Sequence, residues 1–189
     1  MRMEYLNKYL AMLNLNKKYN IIYADPPWSF NFWSDKASRK VSNHYKLMKA
    51  EDIYNLPVNK IAEDNSVLFI WVTYPNLLEG LETIKRWGFT YKTCGFSWIK
   101  QNKKSDSLFW GMGYYTRANN ELCLLATKGK PLKRLNHGVH QVVIDKIREH
   151  SRKPDCVRDR IVQLFGDLPR IELFARQRTK GWDAYGNEI

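Results

Sequence analysis

A run of four apolar residues, Ile21-Ile22-Tyr23-Ala24, stops abruptly at Asp25-Pro26-Pro27. Proline has no N–H to offer a sheet ladder, and two in succession end a strand. The run therefore reads as a short buried strand with a carboxylate fixed at its C-terminal end. Ser66 to Val72 is apolar at nearly every position, as in a central strand covered on both faces. Lys49 to Leu56 reads as a short helix stopped before Pro57. Leu77, Leu78, Leu81, Ile84 and Trp87 recur at helical spacing, with Gly88 placed to end that helix. Phe89 to Ile99 and Glu121 to Thr127 read as strands, and Val142 to Ile144 as a shorter one. Pro154 stands at the first position of a helix whose apolar face is Val157, Ile161, Leu164 and Phe165, and Arg170 to Ala175 is the final strand. Strands alternating with helices imply an α/β fold with a doubly wound, mostly parallel Rossmann-like sheet. Ligands of such sheets bind at the carboxyl ends of the strands, which is where Asp25 lies.

No repeat, low-complexity tract or Pro/Gly/Ser linker divides the 189 residues. One domain over 1–189 is expected, with 1–18 as a lead-in and long loops at about 29–46, 101–120 and 130–150, the second of them mobile. The composition, 44% apolar and 14% aromatic, is enough for a proper core. Lys and Arg total 31 against 19 acidic residues, a net charge of +12 and a pI near 9.6. Such an excess opposes compaction, so it implies a polyanionic partner, nucleic acid before a membrane surface. Cys94, Cys123 and Cys156 are odd in number and have neither redox nor metal spacing. They suit a reducing cytosol. His137 and His140 stand too far from Cys123 or Cys156 to suggest a metal site. Met1 to Asn20 lacks the apolar core of a signal peptide, and Val67 to Val72 is too short to span a bilayer. A soluble protein without membrane or metal is expected.

Asp25-Pro26-Pro27-Trp28 has the parts needed to handle an aromatic amine. The 6-amino lone pair of adenine is delocalised into the ring and is a poor nucleophile. Two hydrogen-bond acceptors on the amino protons favour a more tetrahedral nitrogen with its lone pair free. The Asp25 side chain is one acceptor, and the Pro26 carbonyl, held by two restricted φ angles, is the other. Trp28 adds a flat wall for an extruded base, worth about 1–3 kcal/mol. Asp-Pro alone would be an ordinary turn. Directly after the Ile-Ile-Tyr-Ala strand, the full tetrapeptide is the arrangement this chemistry requires.

The tetrapeptide and much of the remaining chain resemble the MT-A70 family of adenine methyltransferases, whose catalytic motif is Asp-Pro-Pro-Trp. The similar blocks run in the family order: MKAEDIYNLP at Met48 to Pro57, VLFIWVT at Val67 to Thr73, Trp87-Gly88-Phe89 and Trp98-Ile99-Lys100. ELCLLATKGKP at Glu121 to Pro131, SRKPD at Ser151 to Asp155, RIELFAR at Arg170 to Arg176, and Gly181-Trp182 before Gly186-Asn187 complete the series. The resemblance implies an S-adenosylmethionine-dependent N(6)-methyltransferase, releasing S-adenosylhomocysteine and using no metal, with the catalytic motif ahead of the cofactor motif. Asp25, Pro26, Pro27 and Trp28 would be the catalytic residues. Lys153, just before a helix, would take the methionyl carboxylate, helped by the helix dipole. Glu172, inside a buried strand, needs a partner such as ribose hydroxyls or Arg176. By resemblance Glu172, Arg176, Asn187 and Glu188 surround the nucleoside, beside Asp25. Asn7 is placed near the adenine by its spacing ahead of Asp25. Gln177-Arg178-Thr179 departs from the Pro-His-Asn stretch common in the family.

Basic and aromatic residues interleave in the expected loops, a composition that suits phosphates and unstacked bases. Trp28, Lys36, Arg39, Tyr45, Trp110, Tyr114, Arg117, Lys133 and Arg134 are the candidates for substrate contact. The sequence favours DNA over RNA, because the compact members of the family are thought to modify DNA. It leaves monomer and homodimer both open and places the protein in the cytoplasm of a bacterial or phage-infected cell. An inactive nucleic-acid-binding paralogue or partner subunit is the alternative from another class. The intact Asp25-Pro26-Pro27-Trp28, Lys153, Glu172 and Asn187 weigh against it.

Overall fold

The computed structural model describes residues 15–29, 47–149, 152–186 and 189. Its strands are β1 (Tyr19–Ala24), β2 (Ala62–Val72), β3 (Thr90–Gln101), β4 (Asn120–Lys128), β5 (Val142–Lys146), β6 (Arg170–Leu173) and β7 (Asp183–Tyr185). The helices are α1 (Ala50–Tyr54), α2 (Val58–Ile61), α3 (Leu77–Arg86) and α4 (Cys156–Phe165). The strands form one sheet in the order β5-β3-β4-β2-β1-β6-β7. β1 pairs in parallel with β2 and β6, as do β3 with β5 and β6 with β7; β4 is antiparallel to both of its neighbours. The sheet is therefore mostly parallel and Rossmann-like, as the alternation of elements implied. The Asp25 turn follows the first strand, and RIELFAR comes late, as the resemblance required.

Successive residues of the central strands feed opposite faces, so the sheet carries two cores. Ile22, Ala24, Leu68, Ile70, Val72, Leu124 and Leu173 pack under α1, α2 and α3 through Ile53, Val58, Ile61 and Ile84. Ile21, Tyr23, Val67, Phe69, Trp71, Phe96, Trp98 and Cys123 face α4 through Val157 and Ile161. Helices thus cover both faces.

Gly88 ends α3 as expected: its φ is +81°, and the following Phe89 N–H reaches the Ile84 carbonyl at 2.9 Å. Leu78, counted in that helix's apolar set, faces solvent instead, because it lies off the arc shared by Leu77, Leu81 and Ile84. Gly80 lets α3 sit directly on β2. A Cβ there would lie 2.3 Å from Val72 Cγ1. Gly80→Ala is therefore expected to cost about 1–3 kcal/mol by overpacking, read as a lowered urea midpoint with an unchanged slope.

Three expectations need correction. α4 begins at Cys156, two residues after Pro154. The proline lies in the entry turn, where its carbonyl accepts the Val157 N–H at 3.2 Å. Arg170–Leu173 is not the final strand, since β7 pairs beyond it. The three-residue Asp183-Ala184-Tyr185 is too short to show a period. Gln101 to Asn120, read as a long mobile loop, carries bridges at Gln101–Leu108 and Gly111–Ala118 that fold it back on itself as an extension of β3 and β4.

Candidate active site

Every strand except β4 runs the same way, so the C-terminal ends of β1, β2, β3 and β6 share one edge with the start of β4. The strand order reverses between β1 and β6, and such a switch point opens a crevice at that edge. A cleft open to solvent lies there. It is lined by Asp25, Pro26, Pro27, Trp28, Trp71, Val72, Thr73, Glu121, Lys153 and Arg176.

The Asp25-Pro26-Pro27-Trp28 turn is fastened by hydrogen bonds. The Asp25 N–H reaches the Leu173 carbonyl at 3.4 Å, completing the ladder to β6. The Pro26 carbonyl accepts the Trp28 N–H at 2.9 Å, and the Pro27 carbonyl accepts the Met48 N–H at 2.9 Å. Asn76 donates to the Ser29 carbonyl at 3.2 Å and accepts from the Thr73 hydroxyl at 2.9 Å. The Pro26 carbonyl, proposed from sequence as the second acceptor, thus has one bond already. A carbonyl oxygen has two lone pairs, so a second donor can still be accepted. Trp28 differs from the open wall that the sequence suggested. It is 5% exposed, its indole N–H is given to the Trp71 carbonyl at 2.9 Å, and it packs in the core under α1. Trp28 anchors the turn and shows the cleft only part of its surface.

Lys153 reaches the cleft from the segment ahead of α4. Its ammonium lies 2.9 Å from Asp25 Oδ1 and 3.2 Å from Glu121 Oε2. Glu121 Oε1 in turn lies 2.5 Å from Lys100 Nζ. Burial works against charge on Lys153, but Asp25 and Glu121 outweigh it and hold the ammonium well above the usual lysine range. Burial likewise acts to raise Glu121, yet Lys153 and Lys100 together bring it below the ordinary carboxylate value. The result is an alternating chain, Lys100–Glu121–Lys153–Asp25, at the edge of the sheet. The sequence pointed to Lys153 and Asp25 but assigned no role at the site to Glu121 or Lys100. The available clue was the charge that opens the buried ELCLLA strand.

Glu172 meets Arg158, not Arg176. The guanidinium of α4 takes Oε2 through Nε and Oε1 through Nη2, each at 2.7 Å, and both side chains are buried. Burial opposes charge on Arg158, but the Glu172 hydrogen bonds outweigh it and raise its pKa further. Glu172 lies on the face opposite Ile171 and Leu173 and so points toward α4. Arg176 follows β6 and lines the cleft.

The other candidates separate clearly. Trp110 is 74% and Tyr114 61% exposed, and Arg117 lies over the Trp110 ring at 5.9 Å. All three sit on the extension that joins β3 to β4, outside the cleft lining. Lys133 and Arg134 are exposed and also outside it. Arg134 bonds His137 at 2.8 Å, and the neighbouring Leu135 N–H bonds the Leu164 carbonyl. Asn7, Lys36, Arg39, Tyr45, Asn187 and Glu188 fall outside the described residues. Among the described residues no cluster of three His, Cys, Asp or Glu side chains could hold a metal, and no helix is long and apolar enough to cross a membrane.

Comparison with known proteins agrees with this architecture. The MT-A70 family model matches residues 19–188. The type II methyltransferase M.MunI of Mycoplasma sp is 35% identical over 92% of this chain and 78% of its own. A putative N(6)-adenosine-methyltransferase MT-A70-like protein of Medicago truncatula is 29% identical over 91% of this chain but 26% of its own. The N(6)-adenosine-methyltransferase catalytic subunit METTL3 of Homo sapiens is 27% identical over 91% and 28%. This chain thus spans about a quarter of those two plant and animal relatives, and most of M.MunI. A match over nearly the whole chain, on a mostly parallel sheet with Asp-Pro-Pro-Trp at its switch point, shows that the chain belongs to the MT-A70 family.

Proposed function

We propose that this protein transfers a methyl group from S-adenosylmethionine to the 6-amino group of adenine in DNA. The observation that carries the reading is the Asp25 carboxylate, held in the cleft beside the Pro26 carbonyl by a turn bonded at every residue. Two acceptors held this rigidly fix both amino hydrogens, and the lone pair then faces the donor without reorganisation. The donor set also fits the cofactor. Asp25 and Glu121 suit its cationic groups, and Lys153 and Arg176 suit its carboxylate. Bound there, S-adenosylmethionine supplies an electrophilic methyl on a sulfonium. Asp25 and Pro26 orient the amine for direct displacement. Arg176, at the exit of β6, lines the cleft where the nucleoside would lie, and Glu172, Asn187 and Glu188 belong to that set by resemblance.

The net charge of +12 supports a nucleic-acid substrate. Trp110, Tyr114 and Arg117 extend from the same edge as the cleft and give it a surface of rings and cations. DNA is favoured because the type II methyltransferase M.MunI is matched over most of its own length. RNA is the second reading, prompted by the relatives named for N(6)-adenosine. The reading further places one catalytic domain in the cytoplasm of a bacterial or phage-infected cell. Radiolabelled methyl transfer to matched DNA and RNA oligomers, followed by digestion to nucleosides, tests it. Label in N(6)-methyldeoxyadenosine is expected, and label confined to the RNA oligomer would transfer the assignment to the second reading.

A further inference from the structure

We propose that Lys100 is a positioning residue of the methyl-transfer site: it fixes Glu121, and Glu121 keeps the Lys153 ammonium at the cleft when Asp25 turns to the substrate amine. The inference rests on the methyl-transfer reading above. Lys153 is 7% exposed and has two acidic partners, Asp25 just after β1 and Glu121 on β4. Once Asp25 accepts a hydrogen from the amine, its hold on Lys153 is shared. A buried ammonium without a second anchor would then be left uncompensated. Glu121 is that anchor, and its two oxygens are divided, Oε2 toward Lys153 and Oε1 toward Lys100.

The division matters because Glu121 is itself buried. A carboxylate held from one side can rotate, whereas one held through both oxygens keeps a single orientation. Lys100 is placed by the sheet. Trp98 lies opposite Glu121 in the β3–β4 register, and Lys100 is two residues further along β3, on the same face. Its ammonium lies 5.0 Å over the Trp98 ring, and the Lys100 main chain bonds Asn119 and Phe109 at 2.8 Å each. This lysine is built into the strand end.

Glu121 faces Lys100 from β3, Lys153 from the segment before α4, and, through Lys153, Asp25 from the end of β1. Trp71 is its uncharged neighbour in the cleft lining from β2, Cys123 lies on its own strand, and Arg176 enters the same cleft after β6. With Lys100 removed, one of the two cations that keep Glu121 ionised is gone.

The test compares full-length wild type with Lys100→Met, Lys100→Arg, Glu121→Gln and the Lys100→Met/Glu121→Gln double variant. Calorimetric affinity for S-adenosylhomocysteine and the pH profile of kcat/KM are both measured. Lys100→Met is expected to raise the acid limb by about 1 unit and to weaken S-adenosylhomocysteine about tenfold, the equivalent of that shift. Lys100→Arg should restore both, and Lys100→Met should add little to Glu121→Gln, because the two act in one chain. An unmoved acid limb with unchanged affinity would overturn the proposal. So would a rise confined to the KM for nucleic acid with a shallower salt dependence, which is the behaviour of a phosphate contact. If Lys100→Met does not fold, the double variant, which removes the charge pair together, is compared with Glu121→Gln: a further loss of S-adenosylhomocysteine affinity beyond that of Glu121→Gln overturns the proposal. Affinity for S-adenosylhomocysteine is read without turnover, so a wrong assignment of substrate would silence the kinetic measurement and leave this one intact.

Discussion

Replacing Asp25 with alanine is expected to lower methyl transfer by about three orders of magnitude while the protein stays folded. The loss follows from position: the carboxylate is the charged acceptor in the cleft-lining turn, and removing one preorganised group from such a site costs about 10²–10³ in turnover. Survival of the fold follows from Lys153. Its ammonium loses the Asp25 oxygens but keeps Glu121 Oε2 at 3.2 Å, so no buried cation is stranded. Turnover on an adenine-containing oligomer, beside a thermal melt and calorimetry with S-adenosylhomocysteine, separates the two consequences. Turnover within tenfold of wild type would remove Asp25 from the mechanism. A collapsed melt would show instead that Glu121 cannot hold Lys153 alone.

The second large effect concerns stability. Arg158→Leu is expected to cost about 3–5 kcal/mol, because removing one partner of a buried pair leaves the other charged and unsolvated. Among the described residues both Glu172 oxygens bond this guanidinium, and the carboxylate lies in the middle of the short β6. Orphaned Glu172 would bind its proton more tightly in the folded chain than in the unfolded one. Stability therefore falls as pH rises through the raised pKa, and the deficit of the variant should be smallest in acid. Urea unfolding at several pH values measures both. Arg158→Leu combined with Glu172→Leu is expected to recover much of the loss. If the single variant melts like wild type at neutral pH, the pair contributes nothing.

These two residues also show what could be read from the chain alone. Asp25 was legible because two prolines mark the end of a strand by local stereochemistry, and a mostly parallel sheet brings such ends to its ligand-binding edge. The partner of Glu172 was not. A buried glutamate in a strand must have a cation, but whether Arg158 or Arg176 supplies it depends on which face of β6 meets α4. Glu121 and Lys100 were hidden for a related reason. They meet because β4 is inserted between β2 and β3 and runs against both, and no periodicity within either strand encodes that reversal. β7 was missed through brevity, and Leu78 through an arc drawn one residue too wide.

The reversed strand has a further consequence. The structured excursion between Lys100 and Glu121 leaves the cleft edge of the sheet and returns to it, and both of its ends are members of the ionic chain. The segment carrying Trp110, Tyr114 and Arg117 can therefore change in length or composition while its two feet stay fixed by sheet pairing and charge. On the proposed function, rewriting this excursion would alter the surface offered to nucleic acid and leave the ionic chain beneath it in place.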